Sequence, residues 1–110
     1  MAIKTKEYLA KVRKKTGLSD YNIAKEYDIN QSNLSKYNSG KSALSETHAW
    51  LFAGILGVNP AEVVANTKFE QAKISNNEKK AKFWQEQLEN LKNDSEPLKI
   101  EIAQINPLVG

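Results

Sequence analysis

The sequence predicts an all-α fold, and two features of its pattern support that class. Apolar residues recur at intervals of three and four in successive segments, as they do on the buried face of a helix. Most of these segments begin with a residue that caps helix N-termini, and several end at glycine. Period-two alternation occurs near the C-terminus, where residues 98–102 are a candidate short strand. A chain of 110 residues can bury one core without disulfides or metals, so we expect helices around a single core.

The first two helices are predicted to be short and to have clear ends. A helix is expected over residues 5–15, with one apolar face and otherwise basic side chains, and Gly17 stands where its C-terminal cap would be. Ser19 is a natural N-cap for a second helix of about two turns. A tight connection is therefore predicted between these two helices.

A third helix is predicted over residues 31–38, with Asn30 able to cap it. Its apolar residues are Leu34 and Tyr37, which lie three residues apart and form only a narrow stripe. The remaining positions carry amides, hydroxyls and one ammonium group. We therefore expect this helix to pack along one edge and to expose a polar surface.

Three further helices are predicted after residue 44. Ser45 caps a fourth, strongly apolar helix that we expect at the centre of the core. Asn59 and Pro60 start a fifth helix that should continue to about residue 74. Ser75, followed three residues later by a glutamate, predicts the N-cap of a sixth helix that reaches about residue 92.

Charge is unevenly distributed along the chain. The net charge is only +3, but residues 1–58 carry nine basic and five acidic side chains, a net of +4. Residues 59–110 carry seven basic and eight acidic side chains, a net of −1. A basic N-terminal half favours a polyanionic partner, and an uneven spread of surface lysines is the alternative explanation.

Composition argues against several classes of function. The lack of cysteine removes disulfides, thiolate metal sites and cysteine nucleophiles. The single histidine, His48, cannot form a two-histidine metal site, and we interpret it as a packing residue. We predict no catalytic residue, no metal and no cofactor, and therefore a protein that is not an enzyme.

Membrane insertion and export are not predicted. No segment reaches the roughly 18 to 20 apolar residues that a membrane-spanning helix needs. The N-terminus lacks the apolar core of a signal peptide. We expect a cytoplasmic protein without a membrane partner.

Residues 18–44 form the pattern that points to a function, because two short helices separated by a three-residue turn are typical of a helix-turn-helix unit. In such a unit the second helix enters the major groove of DNA with its N-terminal residues at the base edges. Amide, hydroxyl and basic side chains match the hydrogen-bonding groups of bases, whereas a solvated helix surface is the alternative explanation for them. The residues of this kind on the third helix are Gln31, Ser32, Asn33, Ser35 and Lys36.

The stretch LSDYNIAKEYDINQSNLSKYNSGK, residues 18–41, resembles the λ-repressor-like, Cro/C1-type helix-turn-helix. The later stretch LFAGILGVNPAEV, residues 51–63, is similar to the fourth helix, glycine turn and fifth helix of that family. The resemblance covers about residues 5–67. It implies a five-helix DNA-binding domain over residues 1–68 and a C-terminal helical extension over residues 69–110. The segments around Glu7 and Glu70 are also similar to short phage-related regulators.

This resemblance implies a sequence-specific regulator of transcription that binds double-stranded DNA. It implies in particular a phage or prophage repressor that binds a palindromic operator as a homodimer, in the cytoplasm of a bacterial host cell and on its nucleoid. The five polar residues of the third helix are the expected base contacts. The chain departs from the family at Asp20, where glutamine is common. A carboxylate repels phosphate, so Asp20 is not expected to contact the backbone of DNA, but it is favourable at a helix N-terminus. The expected phosphate contacts are Ser19, Tyr37, Asn38, Lys41, Ser42, Lys14 and Lys15.

The C-terminal extension carries two apolar patterns that can serve assembly. Trp84, Leu88 and Leu91 have the spacing of a helix seam, and Ile100 and Ile102 belong to the candidate strand. We predict that these five residues form the dimer interface, whereas packing against the chain's own helices is the alternative. An antitoxin-like or antirepressor module, with a protein partner bound through residues 69–110, is the alternative function on the same fold.

Overall fold

The computed structural model describes residues 2–92, and within that range the chain folds into helices joined by short connections. Within these residues the predicted all-α class is confirmed. The candidate strand over residues 98–102 lies outside the described residues. The helices are α1 (Thr5–Thr16), α2 (Asp20–Glu26), α3 (Gln31–Ser39), α4 (Glu46–Leu56), α5 (Pro60–Ile74) and α6 (78–92).

Local side-chain bonds fix where four of the helices begin. The side-chain oxygens of Ser19, Asn30, Ser45 and Asn59 each accept a hydrogen bond from a backbone N–H in the first turn of the following helix. Each such bond satisfies a donor that has no partner inside the helix. The N-caps predicted for α2 to α5 are therefore confirmed.

The start of α6 differs from the prediction. Ser75 does not cap it, because the Ser75 hydroxyl points back along α5 and donates to the carbonyl oxygens of Gln71 and Ala72 at 3.0 and 3.3 Å. Asn77 is the N-cap instead, and its Oδ1 accepts from the Lys80 N–H at 3.1 Å. Between the two, Asn76 has a φ of 56°, a left-handed conformation that asparagine adopts more readily than most residues.

The core lies where α4 packs against α1 and α5, as the apolar sequence of α4 predicts. Burial of these side chains supplies the main stabilisation, at about 1.5–3 kcal/mol for each large apolar side chain. The largest fully buried apolar side chains among the described residues come from four helices: Leu9 and Val12 from α1, Ile23 from α2, Phe52 from α4 and Val63 from α5.

A buried polar network joins the start of α1 to α5 and to the connection before α4. The Thr5 N–H and hydroxyl both donate to Glu70 Oε1, at 2.8 and 2.6 Å. The same hydroxyl accepts from the Leu44 N–H at 3.0 Å. One turn earlier on α5, Asn66 Oδ1 accepts from the Ile3 N–H at 3.1 Å and Asn66 Nδ2 donates to the Tyr8 hydroxyl at 2.8 Å. Since buried donors without partners are costly, this network holds α1 in register against α5.

α5 runs without interruption through residue 68, the predicted boundary between the DNA-binding domain and the C-terminal extension. That division stays a prediction. Among the helices in residues 2–92, none combines the length and the apolar character that crossing a membrane requires.

Candidate nucleic-acid interface

The α2–turn–α3 unit is held at a fixed angle by buried apolar contacts. Ile23 and Ala24 of α2, Ile29 of the turn and Leu34 of α3 are all buried in the common core. Asp28 adopts a left-handed φ of 54°, which is tolerated best by asparagine, aspartate and glycine. The Ile29 N–H then donates to the Ala24 carbonyl at 2.9 Å and closes the turn. The core therefore makes the main contribution to the orientation of α3 relative to α2.

α3 presents a continuous polar surface on the outside of this unit. Its only buried side chains are Leu34 and Tyr37, so the helix touches the core along the narrow edge that the sequence predicts. The structure brings all five predicted base-contact residues onto the exposed side of α3: Gln31, Ser32, Asn33, Ser35 and Lys36. Their side chains supply amide, hydroxyl and ammonium groups along one helix.

Tyr37 anchors α3 to the beginning of α4. Its hydroxyl lies 2.7 Å from His48 Nδ1 and accepts from the Ser45 N–H at 3.3 Å. The two rings meet edge to face, with their centroids 5.6 Å apart. Tyr37 is buried and its hydroxyl has these partners inside the chain, and its phosphate contact stays a prediction.

His48 is the half-buried partner in that contact. Burial lowers the pKa of His48, because the charged ring would lose hydration there. The Nδ1 of the neutral ring can accept a hydrogen bond that the Tyr37 hydroxyl donates. His48 therefore acts as a packing and hydrogen-bonding residue, which is the interpretation that the sequence favours.

Arg13 connects α1 to both helices of the helix-turn-helix unit. Its Nε lies 2.5 Å from Asp20 Oδ1, and its Nη2 lies 3.3 Å from Asp20 Oδ2, a bidentate pair with the first residue of α2. The same Nη2 donates to Asn38 Oδ1 at 2.7 Å, near the end of α3. Asp20 thus gains a partner in addition to its favourable place in the first turn of α2. Sequence reasoning missed this role of Arg13.

The remaining predicted phosphate ligands lie around this unit on several sides. Ser19, Asn38 and Lys41 are exposed and Ser42 is half-buried. The backbone N–H groups of Lys41 and Ser42 donate to the Lys36 carbonyl at 3.0 and 3.4 Å, so the loop after Gly40 is tied to the end of α3. Ser19 therefore lies at the start of α2, and the other three residues lie at the end of α3.

Lys14 and Lys15 lie on a different side of α1 from Arg13. They are exposed and line a cavity of about 560 Å³, together with Lys11 and the apolar side chains of Leu56 and Val58 at the α4–α5 turn. The structure therefore does not bring these two lysines together with the loop after α3. Their phosphate contact stays a prediction.

The predicted dimerisation residues fall into two groups. Trp84 is half-buried and meets the exposed ring of Phe83 edge to face at 5.0 Å. Leu88 and Leu91 are half-buried and line a groove of about 910 Å³ together with Ile3 and with Phe69 of α5. Ile100 and Ile102 lie outside the described residues. A dimer seam through these five residues therefore stays a prediction.

Comparison with known proteins bears on the N-terminal part of the chain. A family model described as helix-turn-helix matches residues 9–63, which is half of the chain and extends from α1 to the first turn of α5. No curated protein and no solved structure matches the chain significantly. Within residues 2–92, no group of three or more histidine, cysteine, aspartate or glutamate side chains could hold a metal ion. The matched segment contains the α2–turn–α3 unit and all five exposed residues of α3 that carry base-reading chemistry.

Proposed function

This chain belongs to the Cro/C1-type helix-turn-helix family of DNA-binding regulators, and we propose that it is a phage or prophage repressor that binds a palindromic operator as a homodimer. The observation that supports the proposal most directly is the exposed polar side of α3, which is held to the core by only two buried side chains. A helix packed in this way can enter a major groove without losing core contacts.

The base contacts follow from the side-chain chemistry of α3. Gln31 and Asn33 can each bond two adjacent groups of an adenine, Lys36 can donate to guanine, and the serine hydroxyls can either donate or accept. Gln31 and Ser32 stand at the N-terminal end of the helix, which enters the groove first in this kind of unit. We propose that Gln31, Ser32, Asn33, Ser35 and Lys36 read the operator.

Phosphate contacts are proposed for residues that flank the two helices. Lys41 and Ser42 follow the end of α3, and Asn38 has its Oδ1 bonded to Arg13, so its amide nitrogen can face outward to a phosphate oxygen. Ser19 precedes α2. Together with Lys14 and Lys15, these residues would fix the position of the protein on the duplex without selecting bases.

Homodimerisation is proposed because one nine-residue recognition helix reads only a few base pairs. Two copies related by a two-fold axis would read inverted half-sites about one helical turn apart. Occupation of such an operator within a promoter excludes RNA polymerase, which is why we propose repression. The site of action would be the nucleoid in the cytoplasm of a bacterial host cell.

A protein partner is a second proposal, and it is supported by the aromatic pair on α6. Phe83 is 51% exposed and is in edge-to-face contact with Trp84, so an apolar ring stands on the outer surface of this helix. A double Phe83→Ala, Trp84→Ala variant that still binds DNA but no longer co-purifies with a second protein would support it. Co-purification unchanged by the double variant would argue against it.

Selection of bound duplexes from a random pool tests the main proposal. We expect enrichment of two inverted half-sites with centres about 10 base pairs apart, and repression of a reporter when that sequence is placed within its promoter. A pool without enrichment above non-specific binding would refute sequence-specific binding. Enrichment of a single half-site would refute the palindrome, and activation of the reporter would refute repression.

A further inference from the structure

One side of α4 forms a largely apolar surface, which we call the α4 strip and define as Thr47, Trp50, Leu51 and Gly54. Glu46, one turn before Trp50, borders the strip and is paired with Lys68 at 3.0 Å. Trp50 is 61% exposed, whereas Leu51 is half-buried. No lysine, arginine, aspartate or glutamate occurs between Glu46 and Glu62. The opposite side of α4 carries the buried core residues, so this helix is apolar on its uncovered side as well as on its covered side. Such a helix normally has both sides covered.

Gly54 is the second observation on this strip. It lies inside α4, where glycine is a poor helix former, and it is exposed. A Cβ added there would meet no atom of the chain within 4 Å, so packing within the chain does not require the glycine. Gly54 follows Trp50 by four residues and therefore lies one turn along on the same side of the helix. A large ring and an open recess are thus neighbours on one surface.

We infer that the α4 strip is the surface through which two copies of this chain meet, with Trp50 of each copy packed against Gly54 of the other. A two-fold contact requires a self-complementary patch, and a ring and a recess one turn apart meet that requirement when the two helices run antiparallel. The charges that border the strip, Glu46 and Lys68, are paired with each other, so two strips approach without net repulsion. The inference rests on the proposed function, because the inverted half-sites of a palindrome bring two copies together.

The strip can be covered without covering α3. His48, which bonds Tyr37 of α3, is separated from Trp50 by two residues along α4 and therefore by more than half a turn around it. The two side chains consequently point to opposite sides of the helix. A second copy seated on Trp50 and Gly54 leaves the polar side of α3 accessible to DNA.

The size of the strip indicates when the contact forms. At 61% exposure the Trp50 side chain offers about 150 Å², and the whole strip offers about 300–400 Å² per copy. A stable interface buries about 800 Å² per partner. The α4 contact is therefore weak between free molecules and forms when two half-sites hold the copies next to each other. Its consequence is cooperative binding to the operator.

Cooperativity measured with the full chain tests this inference. Fluorescence anisotropy would compare a duplex that carries two selected half-sites with a duplex that carries one. For the wild type we expect about 5- to 150-fold tighter binding per copy on the paired half-sites. Trp50→Ala and Gly54→Gln should remove most of that gain while their affinity for the single half-site stays within about twofold of the wild type.

The Gly54→Gln variant distinguishes a loss of pairing between copies from a loss of folded protein. Glutamine is a better helix former than glycine and its side chain has open space, so we expect a higher melting temperature together with lost cooperativity. Phe83→Ala is the matched control, because it removes another exposed ring from α6 and should leave the cooperativity unchanged. Retained cooperativity in Gly54→Gln, or its loss in Phe83→Ala but not in Trp50→Ala, would overturn the inference.

Sedimentation of the chain without DNA keeps this test independent of the proposed function. At high concentration we expect a weak increase in mass for the wild type and none for Gly54→Gln. If selection finds no operator, the proposed function fails, and this sedimentation difference alone decides the inference. A wild type that binds single half-sites specifically but shows neither cooperativity nor association would overturn the inference and leave DNA binding intact.

Discussion

Replacing Arg13 with methionine tests whether the connection from α1 to α2 and α3 holds the helix-turn-helix unit. Methionine keeps much of the apolar stem and removes the guanidinium group, so the change isolates the polar contacts. The variant loses the bidentate pair with Asp20, at 2.5 and 3.3 Å, and the hydrogen bond to Asn38 at 2.7 Å. Asp20 and Asn38 then have only solvent as a partner for those oxygens.

The expected cost follows from these distances and from the exposure of the pair. The Arg13 and Asp20 side chains are 34% and 39% exposed, so solvent screens their attraction and the pair is worth about 0.5–1 kcal/mol. The bond to Asn38 has a charged donor and adds about 1 kcal/mol in this exposed setting. Together they predict a loss of about 1–2 kcal/mol and a melting temperature lower by roughly 5–15 °C.

The assay is urea unfolding of Arg13→Met beside Lys14→Met, which removes the same charge from the neighbouring, exposed position. Lys14→Met should change the free energy of unfolding by less than about 0.5 kcal/mol. About 1 M salt should reduce the difference between the two variants, because it screens the pair. Equal stability of the two variants, or a difference that salt does not change, would refute the reasoning.

Three further changes give distinct expected outcomes. Glu70→Ala removes the acceptor of two buried hydrogen bonds at 2.8 and 2.6 Å and should cost about 3 kcal/mol in urea unfolding. Glu62→Ala, an exposed carboxylate on the same helix, should cost less than about 0.5 kcal/mol, and equal costs would contradict the role of the network. Because burial lowers the pKa of His48, the stability that its neutral form contributes is present above about pH 6.5 and is lost on acidification. The wild-type melting temperature should therefore fall more steeply than that of His48→Gln between about pH 7.5 and pH 5, and parallel curves would contradict this. Gln31→Ala should weaken operator binding by about 1–3 kcal/mol and relax one base position, whereas Lys41→Ala should weaken all sequences alike and lower the salt slope by about 1. Unchanged base preference in Gln31→Ala would argue against its proposed contact.

The helix starts could be predicted because capping is local. Ser19, Asn30 and Ser45 each bond a backbone N–H two or three residues ahead, so the relevant atoms are close in sequence. The same reasoning failed at Ser75, whose hydroxyl can donate backwards to α5 as readily as it can accept from a following turn. Asn77 cannot be preferred from the pattern alone, since both residues precede an apolar periodic segment.

The recognition surface could also be predicted, because α3 has only two apolar positions and the rest of the helix must face outward. The hydrogen-bond partners of Tyr37, in contrast, could not be predicted in this way. Its position in the narrow stripe predicts burial, and its hydroxyl suggests a phosphate ligand, but the sequence does not show that His48 and Ser45 meet that hydroxyl. Its partners depend on how α4 crosses α3.

The helices, the caps of α2 to α5, the polar side of α3 and the family follow from the sequence, because each depends on residues close together along the chain. The tertiary structure was needed to show that Arg13 holds Asp20 and Asn38, which are 7 and 25 residues away, and that Glu70 holds Thr5 across 65 residues. It also decided that Gly54 and Trp50 stand uncovered on α4. Such pairings depend on which helix faces meet when the core closes, and the spacing of residues within one helix does not contain that information.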